Sequence, residues 1–522
     1  MSVTPLKKPA DRGGPNIVQT AAMMVVLTMI SKLLGFVREL ILADVYGTSF
    51  VTDAYAQAQN IGNVLTGGII GALGAAYTPL FSEISEQQSE EAGKRFTNQL
   101  ITLAFLAAAA LAVLGVIFSE QLVSFLAPGF SQSDAGAEKV RLTVFYLRVV
   151  FGFVLVSGIL SIYEALLRYK GHFRQPILAG YLNDFGMILF IVISARKGAP
   201  LLAFGLLAGG LLQLSANALA ASRVGYLYHP DFRFKESSYR VFMLALPIFA
   251  NSSLSSINGA IDQMLASRLP DGIVAALGYG HRVQIMIYYM TAAILGAIFY
   301  PKITKAASLG DWGGYSEAAR KTATVNLILM LPLSLGAVAF ANQVVQVIYE
   351  RGAFDTSSTV VTADAFRFYS MSLVFLAFSE FLSSMFQSLQ DMKTMTVCGA
   401  IGVVSNIALN LALIGPLQHK GLALASSISA AIHFAALRLA FRKKHPGIFA
   451  FPSAGKILRI AAASLLAVLA AILVYQLVTL IWMPRAVYLA IAVLSAVAVY
   501  LPLLVLLRIE EVEVLKDLIK RQ

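Results

Sequence analysis

The chain has 522 residues, of which 58% are apolar and only 13% charged, with a mean hydropathy of +0.73 and a formal net charge of +12. Soluble proteins carry about 25% charged residues, so this composition excludes a soluble globular domain and predicts an all-α polytopic membrane protein. The basic residues are scattered over loop ends, which argues against a nucleic-acid-binding domain, and the single cysteine, Cys398, excludes an internal disulfide and a cysteine metal site.

Residues 1–16, MSVTPLKKPADRGGPN, form a polar, basic tail. The apolar run after it is about 27 residues long and carries charges, unlike the short core of a signal peptide, and reads as a retained first span. Spanning a bilayer takes about 20 mostly apolar residues. Counting such runs predicts about fourteen spans, at 17–43, 51–81, 96–118, 142–167, 175–195, 200–222, 240–266, 273–300, 322–348, 360–389, 394–415, 420–441, 456–480 and 486–507. With the N-terminus in the cytoplasm, most loop Lys and Arg fall on that side, among them Lys7, Lys8, Arg168, Lys170, Arg174, Arg233, Lys235, Arg442, Lys443 and Lys444. Both termini are then cytoplasmic, and the tail over 508–522 reads as an amphipathic segment lying on the inner membrane surface.

The chain also repeats. ALGAAYTPLF ends the second span and ILGAIFYPKI ends the eighth, matching Pro79 with Pro301. APGF and ERGAF match Gly129 with Gly352, and YLND and VVSN match Asn183 with Asn406, all at an offset of 222 or 223. Three matches at one offset predict a duplicated six-helix unit: an N-terminal lobe over 17–225 and a C-terminal lobe over 238–445. Spans 13 and 14 (456–507) are an addition. An even number of spans per unit makes the copies parallel about an axis along the membrane normal, and the seam between such lobes is where transporters place a substrate cavity.

Ionisable residues at mid-membrane cost at least ~2.5–3.5 kcal/mol and mark function. Lys32 lies roughly 22 Å along the first span and Arg282 about 15 Å into the eighth. Both are expected near the midplane, facing the seam as two cations suited to a diphosphate. Glu39 shares the face of Lys32. Arg38 points about 120° away, and either contacts substrate or pairs with Asp53 at the outer start of the second span. His281 reads either as a proton carrier or as a hydrogen-bonded polar residue. A second cluster, Asp262, Asn406, Asn410 and Ser426, offers one carboxylate with amide and hydroxyl oxygens. It suits a hard monovalent cation, or a set of interhelical hydrogen bonds.

SKLLGFVRELILADVYGTSFVTDAYAQA (31–58), ERGAFDTSSTVVTADAF (350–366) and YGHR (279–282) resemble the ordered signatures of the MurJ/MviN family, over almost the whole chain. The resemblance implies a fourteen-helix flippase of the multidrug/oligosaccharidyl-lipid/polysaccharide exporter superfamily. Such proteins move lipid II, the undecaprenyl-diphosphate-linked cell-wall precursor, from the inner to the outer leaflet of the bacterial cytoplasmic membrane. Residue by residue it implies substrate-binding roles for Lys32, Arg38 and Arg282, charged positions at Glu39 and Asp53, and a lipid-tail groove beside spans 13 and 14. The family often carries an arginine and a glutamate in the second span; here VLTGGIIGALGAAY places Thr66, Gly67 and Gly68 there, a less cationic pattern. That departure leaves a related exporter of another polyprenyl-linked glycan, or a cation-coupled drug exporter, as the alternative. No DxD, HExxH or loop carboxylate cluster points to a membrane enzyme. No cofactor is expected beyond coupling to a monovalent cation or to the membrane potential. The expected partners are the diphosphate lipid, membrane lipids and the cell-wall synthesis machinery.

Overall fold

A computed structural model describes residues 17–132, 135–234, 236–448 and 451–511, with the side chains of 17–22, 25, 65–71, 236–238, 242, 247–255, 257 and 290–300 excluded. Among the described residues every regular element is a helix. In chain order these are α1 (Ile17–Tyr46), α2 (Phe50–Gln87), α3 (Glu90–Ile117), α4 (Ser119–Leu126), α5 (Gly136–Tyr169), α6 (Arg174–Lys197), α7 (Phe204–Arg223) and α8 (Glu236–Ala266). There follow α9 (Ile273–Leu309), α10 (Trp312–Ala339), α11 (Ala341–Tyr349), α12 (Thr356–Ser370), α13 (Leu373–Ser388), α14 (Met392–Lys444), α15 (Ala454–Val478) and α16 (Arg485–Leu506). Each of the fourteen apolar runs falls on a helix or on a consecutive pair. Eight helices are long and apolar enough to cross a membrane among the described residues, or nine counting α12 and α13 as one span bent by 42°. The protein is a multi-pass membrane protein.

The helices begin where a polar side chain can satisfy free amides. Ser89, Asp311, Asp355, Asp391 and Ser453 each accept a hydrogen bond from the first turn of α3, α10, α12, α14 and α15. Two breaks differ from the expected straight spans. α14 carries the predicted spans 11 and 12 end to end, turning at Gln418 (φ 51°, ψ −130°) two residues after Pro416. Between α12 and α13 the broken ladder exposes carbonyls, which lipid cannot satisfy. Serine hydroxyls satisfy them: Ser427 donates to Phe368 O, Ser372 to Tyr369 O, and Ser334 to Ser370 O.

The repeat offset reappears in contacts. The Gly129 amide donates to Ser267 Oγ, beside the end of α8, and Gly352 lies against Asp44 O near the end of α1. Both glycines and both partners are related by the same offset of 223. A Cβ at either glycine would run into backbone: Ser267 O and Arg268 Cα at Gly129, Asp44 O at Gly352, where φ is +55° as well. Together with the Thr48 Oγ1–Ser358 Oγ hydrogen bond of 2.7 Å, these contacts close the end of the protein that carries the α1–α2 turn. α2 packs along α8 to the opposite end, where Arg240 meets Glu83 at 3.3 Å. α15 and α16 pack on each other, α15 on α10 and α16 on α11, with Arg485 pinned to Glu350 at 2.7 Å. Many of their leucines, such as Leu458, Leu473 and Leu494, are exposed, as a lipid-facing surface requires. The N-terminal tail lies outside the described residues, as does the C-terminal tail from 512. The start of that second tail folds back, with Ile509 buried and Glu511 paired to Lys456 at 2.8 Å.

Candidate functional site

α1 and α9 run in opposite directions, so residues of the two helices face each other in reversed order. Glu39 of α1 reaches Arg282 of α9 at 3.1 Å, and the Lys32 ammonium lies 5.3 Å from the ring centre of Tyr289. Lys32 and Glu39 are seven residues apart, as are Arg282 and Tyr289. The structure therefore stacks two cross-seam contacts about 10 Å apart along the membrane normal. This corrects the expectation that Lys32 and Arg282 share one depth: Arg282 is level with Glu39, nearer the end that carries the α1–α2 turn. Both cations do point across the seam, and the gap is within reach of their long side chains. Arg282 and Tyr289 stay 46% and 47% exposed, and Lys32 is exposed.

Arg38 lies in an ion network, but its partners do not include Asp53. Its guanidinium donates to Glu39 at 3.0 Å and to Asp184 of α6 at 2.7 Å, with Met187 Sδ at 3.2 Å. Glu39 Oε1 thus accepts from Arg38 of its own helix and from Arg282 opposite. Asp53 does not pair with Arg38. It is fully buried and bound to Lys139 of α5 at 2.8 Å, and it accepts from the amides of Gly272 and Ala275 at 2.7 and 2.8 Å. The physical reason is position: Asp53, in the first turn of α2, sits over the N-terminus of α9, whose free amides and dipole attract a carboxylate. Lys139 also holds Asp271 at 2.6 Å. Lys139, Asp184 and Asp271 escaped the sequence reading. Nothing in the local sequence pattern sets Lys139 or Asp271 apart from other charges at span ends, and Asp184 stands beside the repeat residue Asn183 in YLND. Beside these charged groups packs an aromatic cluster of Phe36, Tyr279, Tyr349 and Phe354, with ring centres 5.2 to 6.2 Å apart in successive contacts.

The second predicted cluster also comes together. Asn410 donates to Asp262 at 2.5 Å and to Asn406 at 2.9 Å, and Asn406 donates to Ser429 at 3.3 Å and Ser426 at 3.5 Å. Asp262, Asn406 and Ser426 line a cavity of about 590 Å³ enclosed by α8, α9, α12 and α14. His281 lines the same cavity, its ring 5.3 Å from Tyr369 and edge-on to it. Asn410 Oδ1 is buried without a hydrogen-bond partner, an oxygen left over beside a carboxylate. Among the described residues no group of three His, Cys, Asp or Glu forms a metal-binding cluster. The uncharged stretch at Thr66, Gly67 and Gly68 lies outside the described side chains.

A family model described as "Lipid II flippase MurJ" matches residues 42–501 of this chain. The chain belongs to the MurJ lipid II flippase family. Relatives include the lipid II flippase MurJ of Burkholderia cenocepacia, 27% identical over 444 residues covering 82% of this chain and 84% of that one. The probable lipid II flippase MurJ of Buchnera aphidicola (subsp. Acyrthosiphon pisum) is 25% identical over 424 residues, 80% of this chain and 82% of the other. Among solved structures, a lipid II flippase MurJ in an inward closed conformation aligns with a TM-score of 0.79 at 22% identity, covering 92% of this chain and 98% of that one. An inward-facing multidrug transporter of the MATE family and MOP superfamily aligns at 0.62 and 15%, covering 81% and 99%. These last two likenesses are of fold. They fit the MurJ family assignment and the exporter-superfamily architecture expected from the sequence.

Proposed function

We propose that this MurJ family member carries lipid II from the inner to the outer leaflet of a bacterial cytoplasmic membrane, with both termini cytoplasmic. The observation that carries the reading is the pair of cross-seam contacts, Glu39–Arg282 and Lys32–Tyr289, which set one cation from each half of the chain against the other half, about 10 Å apart along the helices. In this reading the lobes are residues 17–225 and 238–445, and 456–507 guides the polyprenyl tail in lipid. The seam opens to the cytoplasm by release of Glu83–Arg240, and the sugar-peptide head enters. Lys32, Arg282 and Arg38 hold the diphosphate through charge-assisted hydrogen bonds. The bound charge shields the facing cations and favours closure. The Asp53–Lys139 latch on α9 then releases and the seam opens outward. No bond is made or broken.

Asp262, Asn406, Asn410 and Ser426 would hold a monovalent cation. The unpartnered Asn410 oxygen beside the Asp262 carboxylate supports that assignment. A bound cation would supply a positive charge that pulls α8 onto α14. The membrane potential, worth ~2.3 kcal/mol per charge per 100 mV, is the other source of drive. The cell-wall synthesis machinery is the proposed protein partner. A second reading, export of another polyprenyl-linked glycan, is favoured by the carboxylate that Asp184 adds against Arg38. The test is growth of bacteria depleted of their own lipid II flippase. Rescue by this chain supports lipid II as cargo; a membrane-inserted protein that gives no rescue favours the other glycan.

A further inference from the structure

The outer charged layer is balanced in a way the transport reading does not use. Arg38 and Arg282 bring two positive charges, and Glu39 and Asp184 bring two negative ones. The four cancel, and Lys32 remains as the one further charge among the residues assigned to the diphosphate. A diphosphate esterified at both ends carries two negative charges, so it meets a site one charge short. Asp184 is the member that can be exchanged. It belongs to α6, outside the α1–α9 seam, and among the acidic groups of the network it touches only Arg38. Glu39 cannot be given up, because it alone links both guanidiniums. Arg38 is also the shielded cation, its side chain 16% exposed against 46% for Arg282, and Asp184 is what holds it there at 2.7 Å.

We infer that Asp184 is a resident counter-ion for Arg38, a carboxylate that occupies the place of one substrate charge in the empty protein and is displaced when the diphosphate arrives. The inference rests on the assignment of Lys32, Arg38 and Arg282 to the diphosphate. Its physical content is a trade. The Asp184 carboxylate keeps the empty site neutral enough to sit in a membrane, where an unpaired cation is costly. It also weakens the bound state and so speeds release. Asp184 is a positioning residue: it acts on the cargo through Arg38. Gly35 of α1 lies beside the Asp184 carboxylate, both of whose oxygens are 3.9 Å from where a Cβ would stand.

The experiment measures calorimetric binding of inorganic pyrophosphate to the full-length protein in detergent, at low and at physiological salt, for wild type, Asp184→Asn and Asp184→Glu. Wild type should bind weakly. Asp184→Asn should bind at least about tenfold more tightly, which is ~1.4 kcal/mol, while the same variant flips lipid II more slowly in vesicles because release is retarded. Asp184→Glu should return both values toward wild type. A purely architectural role for Asp184 predicts the opposite sign, weaker binding in Asp184→Asn. Equal or weaker binding in Asp184→Asn beside measurable wild-type binding overturns the counter-ion role and leaves the diphosphate site standing. Absence of binding in both proteins overturns the diphosphate site and the counter-ion role together.

Discussion

Glu39 accepts from two guanidiniums that come from different halves of the chain. Removing one partner of a shielded ion network leaves the others uncompensated, at a typical cost of about 3–5 kcal/mol for buried pairs. Glu39→Gln is therefore expected to loosen α1 from α9 and to lower the unfolding temperature in detergent, whereas Lys32→Ala, at an exposed position, leaves it within a degree or two of wild type. Differential scanning fluorimetry of the two variants checks this. Asp53 is the deeper case. Asp53→Asn keeps the shape and removes the charge that faces Lys139 and the α9 amides. The outer latch should weaken, and a cysteine placed at the outer end of the seam should become more reactive to a water-soluble maleimide added from outside. Unchanged labelling would count against a latch.

At the scale of elements, the ends of helices are where the fold is decided. The glycines at 129 and 352 let loops of one repeat lie against α8 and α1 of the other without a Cβ in the way. Gly352→Ala is expected to hold the outer face ajar and to cut transport at least tenfold, read as outer-leaflet lipid II. Asp391 ties the two ends of α14 together by accepting from Lys444 at 2.6 Å and from Thr394 at 2.7 Å. These hydrogen bonds hold its carboxyl down to about 2 from an ordinary 3.8. A depressed carboxylate pKa stabilises the fold above the ordinary value, and that contribution fades as pH falls through about 2. Between pH 5 and pH 2 the unfolding temperature of wild type should fall more steeply than that of Asp391→Asn.

The all-helical fold and the order of its helices were legible because span length is set by the bilayer, and the sequence offset of 223 returns in the Gly129–Ser267 and Gly352–Asp44 contacts. The candidate cation cluster was legible because Asn406 and Asn410 sit four apart on one helix face. Depth was less legible: the level expected for Lys32 and Arg282 counts the rise from opposite ends of two helices, and α1 and α9, at 30 and 37 residues, are both longer than a ~30 Å core requires. Partners of charges were least legible. Nothing in the local pattern says that Asp53 faces Lys139 across 86 residues, or that Arg38 faces Asp184 across 146. Those pairings come from packing α2 on α5 and α1 on α6.

As a whole the molecule has unequal closures. The end that carries the α1–α2 turn is held by a buried charge latch, two glycine contacts and a hydroxyl pair, whereas at the opposite end, the cytoplasmic one in the proposed orientation, the Glu83–Arg240 pair is exposed. Exposed pairs contribute about 0–1 kcal/mol, so the empty protein should open more readily toward the cytoplasm, where its cargo is made. A Glu83→Cys, Arg240→Cys disulfide should block transport, and a reductant should restore it. The central claim, that cations from the two halves meet across the seam to carry a diphosphate lipid, is tested most directly by outer-leaflet accessibility of lipid II in cells whose sole flippase is this chain. The account predicts exposure with wild type and its loss with Lys32→Ala and with Arg282→Ala, both proteins being present in the membrane at normal levels. Undiminished exposure with both variants would contradict it.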